Sequence, residues 1–184
     1  LSPSAPLETC AKAAMQRLEL VHDWLARQFP GRPLSVAPAS ADASFRRYFR
    51  VTFDDGLTRI VMDAPPEHED CRPFVHVAGL LHEAGVLAPE ILAQDLDRGL
   101  LLPTDLGSTT YLDALDASNA DGLFRDALDA ILKWQLASRP DALPPYDEAL
   151  LRRELNLFPD WYVARHLGSP LTAPQQEALE RIQV

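Results

Sequence analysis

A polar turn followed by an arginine-rich strand pattern, in residues 41–50, constrains the fold of this chain more than any other feature. From Tyr48 to Phe53 polar and apolar side chains alternate, which is the two-residue period of a half-buried β-strand. The turn signal Asp54-Asp55-Gly56 and the apolar run Ile60-Val61-Met62 follow, so the sequence predicts a β-hairpin. A polar turn between antiparallel strands, with cations beside it, is suited to covering the phosphates of a small ligand.

The charge balance narrows the range of partners. The formal net charge is −10, which argues against a nucleic acid or an anionic membrane surface as partner. The apolar runs also fall short of the ~18 residues that a membrane span needs. Against this acidic background the local cations near Arg46 favour a small phosphorylated ligand over a polymer. The two cysteines, Cys10 and Cys71, form no CxxC pair and predict free thiols in a reducing cytoplasm.

The order of the periodic segments predicts an α+β fold with a mainly antiparallel sheet. Strands are predicted at 34–36, 48–53, 60–62, 90–94 and 99–102, and helices at 8–29, 72–85, 111–116, 121–138, 146–158 and 175–184. From Thr109 onward the pattern is helical only. We therefore place a domain boundary near Gly107, between a sheet-bearing part (1–106) and a helical part (107–184).

Four ordered strings carry a resemblance to a known family. They are Ser40 to Arg50 (SADASFRRYFR), Ile60 to Pro66 (IVMDAPP), Leu102 to Gly107 (LPTDLG) and Tyr146 to Tyr162 (YDEALLRRELNLFPDWY). In these strings the chain resembles the aminoglycoside-phosphotransferase-like kinases. Within that family it is most similar to the bacterial anomeric kinases of N-acetylmuramate and N-acetylglucosamine, which serve cell-wall recycling. The resemblance implies a bilobal kinase fold, with ATP and Mg²⁺ as cofactors and a sugar as substrate.

The resemblance also implies roles for individual residues. The loop over the nucleotide phosphates would contain Asp42, Ser44, Phe45 and Arg46, with Arg47 directly after it. The hinge that meets the adenine would be Thr104, Asp105 and Leu106. The side chains toward the sugar would include Arg153, Glu154, Phe158 and Trp161. Plainer interpretations stay open, since Thr104-Asp105 is also a helix-cap pattern and the two aromatic residues also suit a core.

The chain departs from the family pattern in the usual phosphate ion pair. The strand after the hairpin usually supplies a Lys or Arg, held by a Glu from the next helix. At that position we expect Asp63, and the helix body from Arg72 to His82 contains no acidic residue. We therefore expect Arg46 or Arg47 to neutralise the phosphates, with Arg59 as a weaker candidate.

The catalytic loop is the second departure. Phosphoryl transfer by this family requires a His-x-Asp-x-x-x-x-Asn loop, whose Asp orients the acceptor and whose Asn binds Mg²⁺. The triplet His68-Glu69-Asp70 only imitates its beginning and is interpreted as acidic surface. No catalytic residue and no metal ligand is therefore assigned, and we expect both sets beyond Val184, since the sequence ends within a predicted helix.

Two alternatives remain at this point. An aminoglycoside or other small-alcohol kinase belongs to the same class, and the acidic balance suits a cationic aminoglycoside. A non-catalytic half-kinase module that holds a nucleotide or a protein partner belongs to a different class. The missing lysine and the missing catalytic loop favour the module, whereas the match to the sugar-kinase strings favours the enzyme.

Overall fold

A five-stranded sheet with the strand order β1-β2-β3-β5-β4 forms the centre of the N-terminal part, and each neighbouring pair is antiparallel. The strands are β1 (Leu34–Ala41), β2 (Arg47–Phe53), β3 (Thr58–Asp63), β4 (Ile91–Asp95) and β5 (Leu100–Pro103). The computed structural model describes residues 5–41 and 45–183. The predicted α+β class with an antiparallel sheet is confirmed.

The helices follow their sequence signals closely. They are α1 (Ala5–Gln28), α2 (Arg72–Glu83), α3 (Tyr111–Ala114), α4 (Ala120–Ala137), α5 (Glu148–Leu157) and α6 (Ala173–Ile182), with a π-helical segment at Phe158–His166. Capping explains where several begin, because the side chain of Asp147 accepts a hydrogen bond from the Leu150 N–H, at 2.9 Å, at the start of α5. Thr110 and Asp113 form a reciprocal capping box at α3.

The two faces of the sheet pack on different helices. On one face α1 buries Val21, Trp24 and Leu25 against side chains of β2, β3 and β5. On the other face α2 packs near Met62 and Leu101. Because successive strand residues point to opposite faces, neighbours such as Val61 and Met62 belong to different clusters. The face toward α1 and the face toward α2 are therefore distinct environments.

The chain divides into two compact units, Leu1–Ser138 and Arg139–Val184. The first unit contains the sheet with α1 to α4, and the second contains α5, the π-helical segment and α6. The sequence places the lobe boundary near Gly107, after the last strand, whereas the two compact units meet at Ser138 and Arg139. The boundary near Gly107 stays a prediction.

Candidate functional site

A cleft of about 540 Å³ opens on the α2 face of the sheet, within the first unit. Its walls come from β1, β2, β3, the start of α2 and the segment that follows β5. The lining residues are Ala39, Tyr48, Arg50, Ile60, Phe74, Pro89, Pro103, Thr104, Asp105, Leu106, Gly107, Ser108, Thr109 and Thr110. The predicted hinge residues 104–106 are thus brought together at one cleft wall.

An ion pair fixes this wall to the sheet. Arg50 Nε lies 2.7 Å from Asp105 Oδ2, and Arg50 Nη2 lies 3.2 Å from Oδ1 of the same carboxylate. Arg50 Nη2 also donates to the Gly107 carbonyl oxygen at 3.1 Å, while the Gly107 N–H donates to Asp105 Oδ1 at 2.9 Å. The Arg50 guanidinium, helped by the Gly107 N–H, lowers the pKa of Asp105 to about 2. The segment is therefore held in one conformation by residues 55 positions apart.

Thr104 joins the same wall to β4 and β3. Its N–H donates to the Glu90 carbonyl oxygen at 2.9 Å, and its Oγ1 accepts from the Glu90 N–H at 3.0 Å. It also forms an isolated antiparallel bridge with Arg59. Thr104 consequently extends the sheet and does not cap a helix. Leu106, which follows, is exposed at the cleft.

The residues predicted for the phosphate loop lie at different places. Asp42 and Ser44 fall outside the described residues. Phe45 is 61% exposed, and its ring stacks on that of His68 with centroids 4.3 Å apart. Arg46 lines a second cleft of about 550 Å³ beside the acidic residues Glu69 and Asp70. The two clefts share Phe74 and Pro89, so Arg46 lies on the α2 face near the first cleft.

Arg47 and Asp63 lie on the opposite face. The two residues are directly paired across β2 and β3, and Arg47 Nε is 3.0 Å from Asp63 Oδ2. Asp63 is 0% exposed, and its Oδ1 also accepts a hydrogen bond from Nε of Arg17 in α1, at 2.9 Å. The guanidinium of Arg47 is therefore engaged by a buried carboxylate on the α1 face.

Strand β3 presents a different residue to the α2 face than the sequence suggests. Met62, paired with Tyr48, packs in the α2-side cluster, whereas Asp63 points toward α1. We expected Asp63 at the position of the usual phosphate-binding Lys, and the structure places its side chain on the other face. Arg59 likewise lines a pocket with Phe53 on the α1 side, so it is not brought to the cleft.

The residues predicted near a sugar all belong to the second unit. On α5, Arg153 Nη2 lies 3.1 Å from Oε1 of its neighbour Glu154, and both side chains reach solvent. Trp161 is 55% exposed, and the Arg165 guanidinium lies 3.9 Å from its ring centroid. Phe158 is also exposed and stacks on Tyr162. These aromatic residues are therefore surface residues of this unit and do not form its core.

Sequence reasoning missed several cleft residues that carried a usable signal. Tyr48 and Arg50 alternate with the core residues of β2, which places them together on the other face. The role of Arg50 as partner of Asp105, in contrast, depends on tertiary structure alone.

The histidine, cysteine and acidic side chains of the described residues do not converge on one point. Across residues 5–41 and 45–183, no cluster of three or more His, Cys, Asp or Glu side chains is arranged to hold a metal ion.

Among the helices that the structure describes, none combines the length and the apolar character needed to span a bilayer. Cys71 is a buried free thiol.

The antiparallel sheet with its strand order, flanked by α1 and α2, defines the N-terminal lobe of a protein-kinase-like fold. Comparison with known families agrees with this class. The sequence profile of the phosphotransferase enzyme family matches residues 35–183, and the chain belongs to this family.

Curated relatives share one name, N-acetylmuramate/N-acetylglucosamine kinase. The protein of that name from Pseudomonas aeruginosa is 59% identical over 150 residues, which are 82% of this chain and 44% of the relative. The Pseudomonas putida protein is 55% identical, covering 80% of this chain and 43% of the relative. The Neisseria meningitidis protein is 40% identical, covering 89% and 49%. The chain thus spans slightly less than half the length of these relatives.

Proposed function

We propose that the cleft on the α2 face binds ATP, with the adenine against residues 104–106 and the phosphates under the connection between β1 and β2. The observation that carries this proposal is the Arg50–Asp105 pair, which fixes the segment after β5 as one wall of a cleft large enough for a nucleotide. Because Asp105 is occupied by Arg50 and the Gly107 N–H, the adenine would meet main-chain groups of this segment.

The whole protein, we propose further, phosphorylates the anomeric hydroxyl of N-acetylmuramate or N-acetylglucosamine in the cytoplasm. The names and identities of the relatives support this acceptor class. The sequence contains no His-x-Asp-x-x-x-x-Asn loop, so we expect the Mg²⁺ ligands and the catalytic Asp elsewhere in the whole protein. What this chain contributes is binding and orientation of the nucleotide. Arg153, Glu154 and Trp161 remain candidates for the sugar side.

The experiment measures ADP release by the full gene product with ATP and Mg²⁺. The acceptors are N-acetylmuramate, N-acetylglucosamine, glucose and an aminoglycoside. Turnover on the N-acetyl sugars alone would support the proposal, and turnover on the aminoglycoside alone would replace it with the related antibiotic-kinase function.

A second candidate is a non-catalytic nucleotide-binding module. It is favoured by one observation, that β3 presents apolar Ile60 and Met62 to the α2 face in place of a lysine. Nucleotide binding without turnover on any acceptor would support this candidate and contradict the enzyme.

Arg46 is the residue that we propose for phosphate neutralisation, since Arg47 is engaged by Asp63 on the other face. Arg46→Ala should raise the KM for ATP by about tenfold, the equivalent of one charge-assisted hydrogen bond. Arg27→Ala, on the exposed surface of α1, removes the same charge far from the cleft and serves as control. Equal KM values for ATP in the two variants would contradict a role for Arg46 in binding the phosphates.

A further inference from the structure

We propose that α1 is a positioning element of the nucleotide site, acting through the side chains of Arg17, Asp63 and Arg47. This inference rests on the proposed function, because it concerns how the ends of β1 and β2 beside the proposed phosphate site are held. Arg17, Asp63 and Arg47 are called here the Arg–Asp–Arg cluster. Its members are positioning residues that lie behind the sheet and do not touch the nucleotide.

The cluster joins three elements through one carboxylate. Arg17 of α1 directs Nε and Nη2 to Asp63 Oδ1, with the Nε distance at 2.9 Å. Arg47 of β2 directs its own Nε and Nη2 to Asp63 Oδ2, and its Nε lies 3.0 Å from that oxygen. Two guanidinium forks therefore fix both oxygens of a carboxylate at the end of β3. Among the residues that the structure describes, Asp63 is the one charged residue that is buried as a whole.

The position of Arg47 links this cluster to the ends of β1 and β2. Strand β1 ends at Ala41 and β2 begins at Arg47, and these two residues are the last cross-strand pair before residues 42–46. Arg47 is also paired with Asp63 across β2 and β3. The cluster therefore fixes the paired ends of β1, β2 and β3 on this side of the sheet.

The same cluster reaches the turn between β4 and β5. Arg17 Nη2 donates to the Arg98 carbonyl oxygen at 2.8 Å. The adjacent Gly99 carbonyl oxygen accepts from the N–H of Ala64, the residue after Asp63, at 2.9 Å. One side chain of α1 thus contacts the ends of two hairpins.

The choice of charged residues supports a positioning role. A buried ion cluster adds little net stability over apolar side chains of similar volume, because desolvation offsets the attraction. What fork-to-carboxylate contacts add is a fixed geometry. Apolar contacts of α1 already bury Val21, Trp24 and Leu25, so packing alone would hold the helix.

The family match does not include this element. It begins at residue 35, whereas α1 spans Ala5–Gln28. A comparison restricted to the matched region would leave Asp63 and Arg47 without Arg17.

The test compares variants of the full gene product by steady-state kinetics and thermal unfolding, at a temperature where every variant is folded. Arg17→Gln should raise the KM for ATP about tenfold, while the KM for the acceptor sugar changes less than about twofold. Arg17→Lys keeps the charge but loses the fork, and should restore part of the loss. Arg27→Gln is the control, because it removes the same kind of charge from an exposed position on the same helix.

The outcomes separate a positioning role from a structural one. A lower melting temperature with an unchanged KM for ATP would overturn the inference. If Arg17→Gln does not fold, the comparison is made with Arg17→Lys, and a wild-type KM for ATP in that variant would also overturn it. Wild-type protein that neither binds ATP nor turns over would instead contradict the proposed function.

Discussion

At the scale of single residues, Asp105 shows how the cleft wall is maintained. Its carboxylate is almost fully buried and receives hydrogen bonds from Arg50 and Gly107. A carboxylate in that state would be costly without its cation, since a buried charge needs a partner. The pair therefore stabilises the conformation of residues 105–107 only while Asp105 is ionised.

The first residue-scale prediction concerns pH. The pKa of Asp105 is about 2 in the folded protein, against an ordinary value of 3.8. Because the folded-state pKa is lowered, the stabilisation is present above about pH 4 and is lost as the pH falls toward 2. Its size is at most about 2.5 kcal/mol, and solvent screening reduces it because the side chain of the partner Arg50 is partly exposed.

The measurement is the free energy of urea unfolding for wild type and Asp105→Asn, between neutral pH and about pH 3. The difference between the two proteins should shrink as the pH falls. Asp23→Asn on the exposed surface of α1 is the control for the loss of one carboxylate. A difference between wild type and the Asp105→Asn variant that is independent of pH would rule out this role for the carboxylate.

A second residue-scale prediction contrasts two glycines with positive φ. Gly56 has a φ of +81° and open space around its Cα, so Gly56→Ala should cost about 1–2 kcal/mol for the left-handed backbone alone. Gly99 has a φ of +68°, and a Cβ there would lie 1.8 Å from the Ala64 carbonyl oxygen. Gly99→Ala should therefore cost several kcal/mol more, since the β4–β5 turn must move. Equal unfolding free energies for the two variants would contradict this.

At the scale of elements, the sequence predicted more of the fold than of the contacts. Alternation and turn residues located the β2–β3 hairpin, and apolar spacing located α1. The face of the sheet on which the Asp63 side chain lies was harder to predict, because a register shift of one residue moves a strand residue to the other face. The partnership of Arg17 with Asp63 spans 46 residues, and no local pattern encodes it.

Strand β1 continues through Pro38, and the proline is tolerated because β1 is an edge strand.

The element-scale prediction concerns the contribution of α1 to the core. Trp24 is 2% exposed and packs in the cluster on the α1 face. Trp24→Ala should lower the free energy of unfolding by about 3–5 kcal/mol, through lost burial and the cavity left behind. Met15→Ala on the same helix removes a side chain that is 65% exposed, so it should cost less than about 0.5 kcal/mol. Chemical denaturation of both variants makes the comparison, and a small loss for Trp24→Ala would mean that α1 is not part of the core.

At the scale of the whole molecule, the two contact units separate two sets of candidate residues. The cleft and all its lining residues belong to Leu1–Ser138, whereas Arg153, Glu154 and Trp161 belong to Arg139–Val184. The overall charge of −10 does not favour an anionic ligand, so the proposed nucleotide binding would depend on a few local cations and on main-chain groups. Nucleotide binding should consequently be weakened by the loss of one cation far more than by a change in net charge elsewhere.

The final prediction uses this separation. A ligand that binds only the folded state of one unit slows local opening there, and the protection grows with ligand concentration relative to its Kd. A non-hydrolysable ATP analogue should therefore slow amide hydrogen exchange at residues 46–50 and 104–110, with little change in α6 when no sugar is added. The measurement is exchange followed by mass spectrometry, with and without the analogue, on wild type and Arg46→Ala. Protection confined to the second unit would contradict the cleft as the nucleotide site. Equal protection in both proteins would keep the cleft as the nucleotide site but contradict the proposed contact of Arg46 with the phosphates.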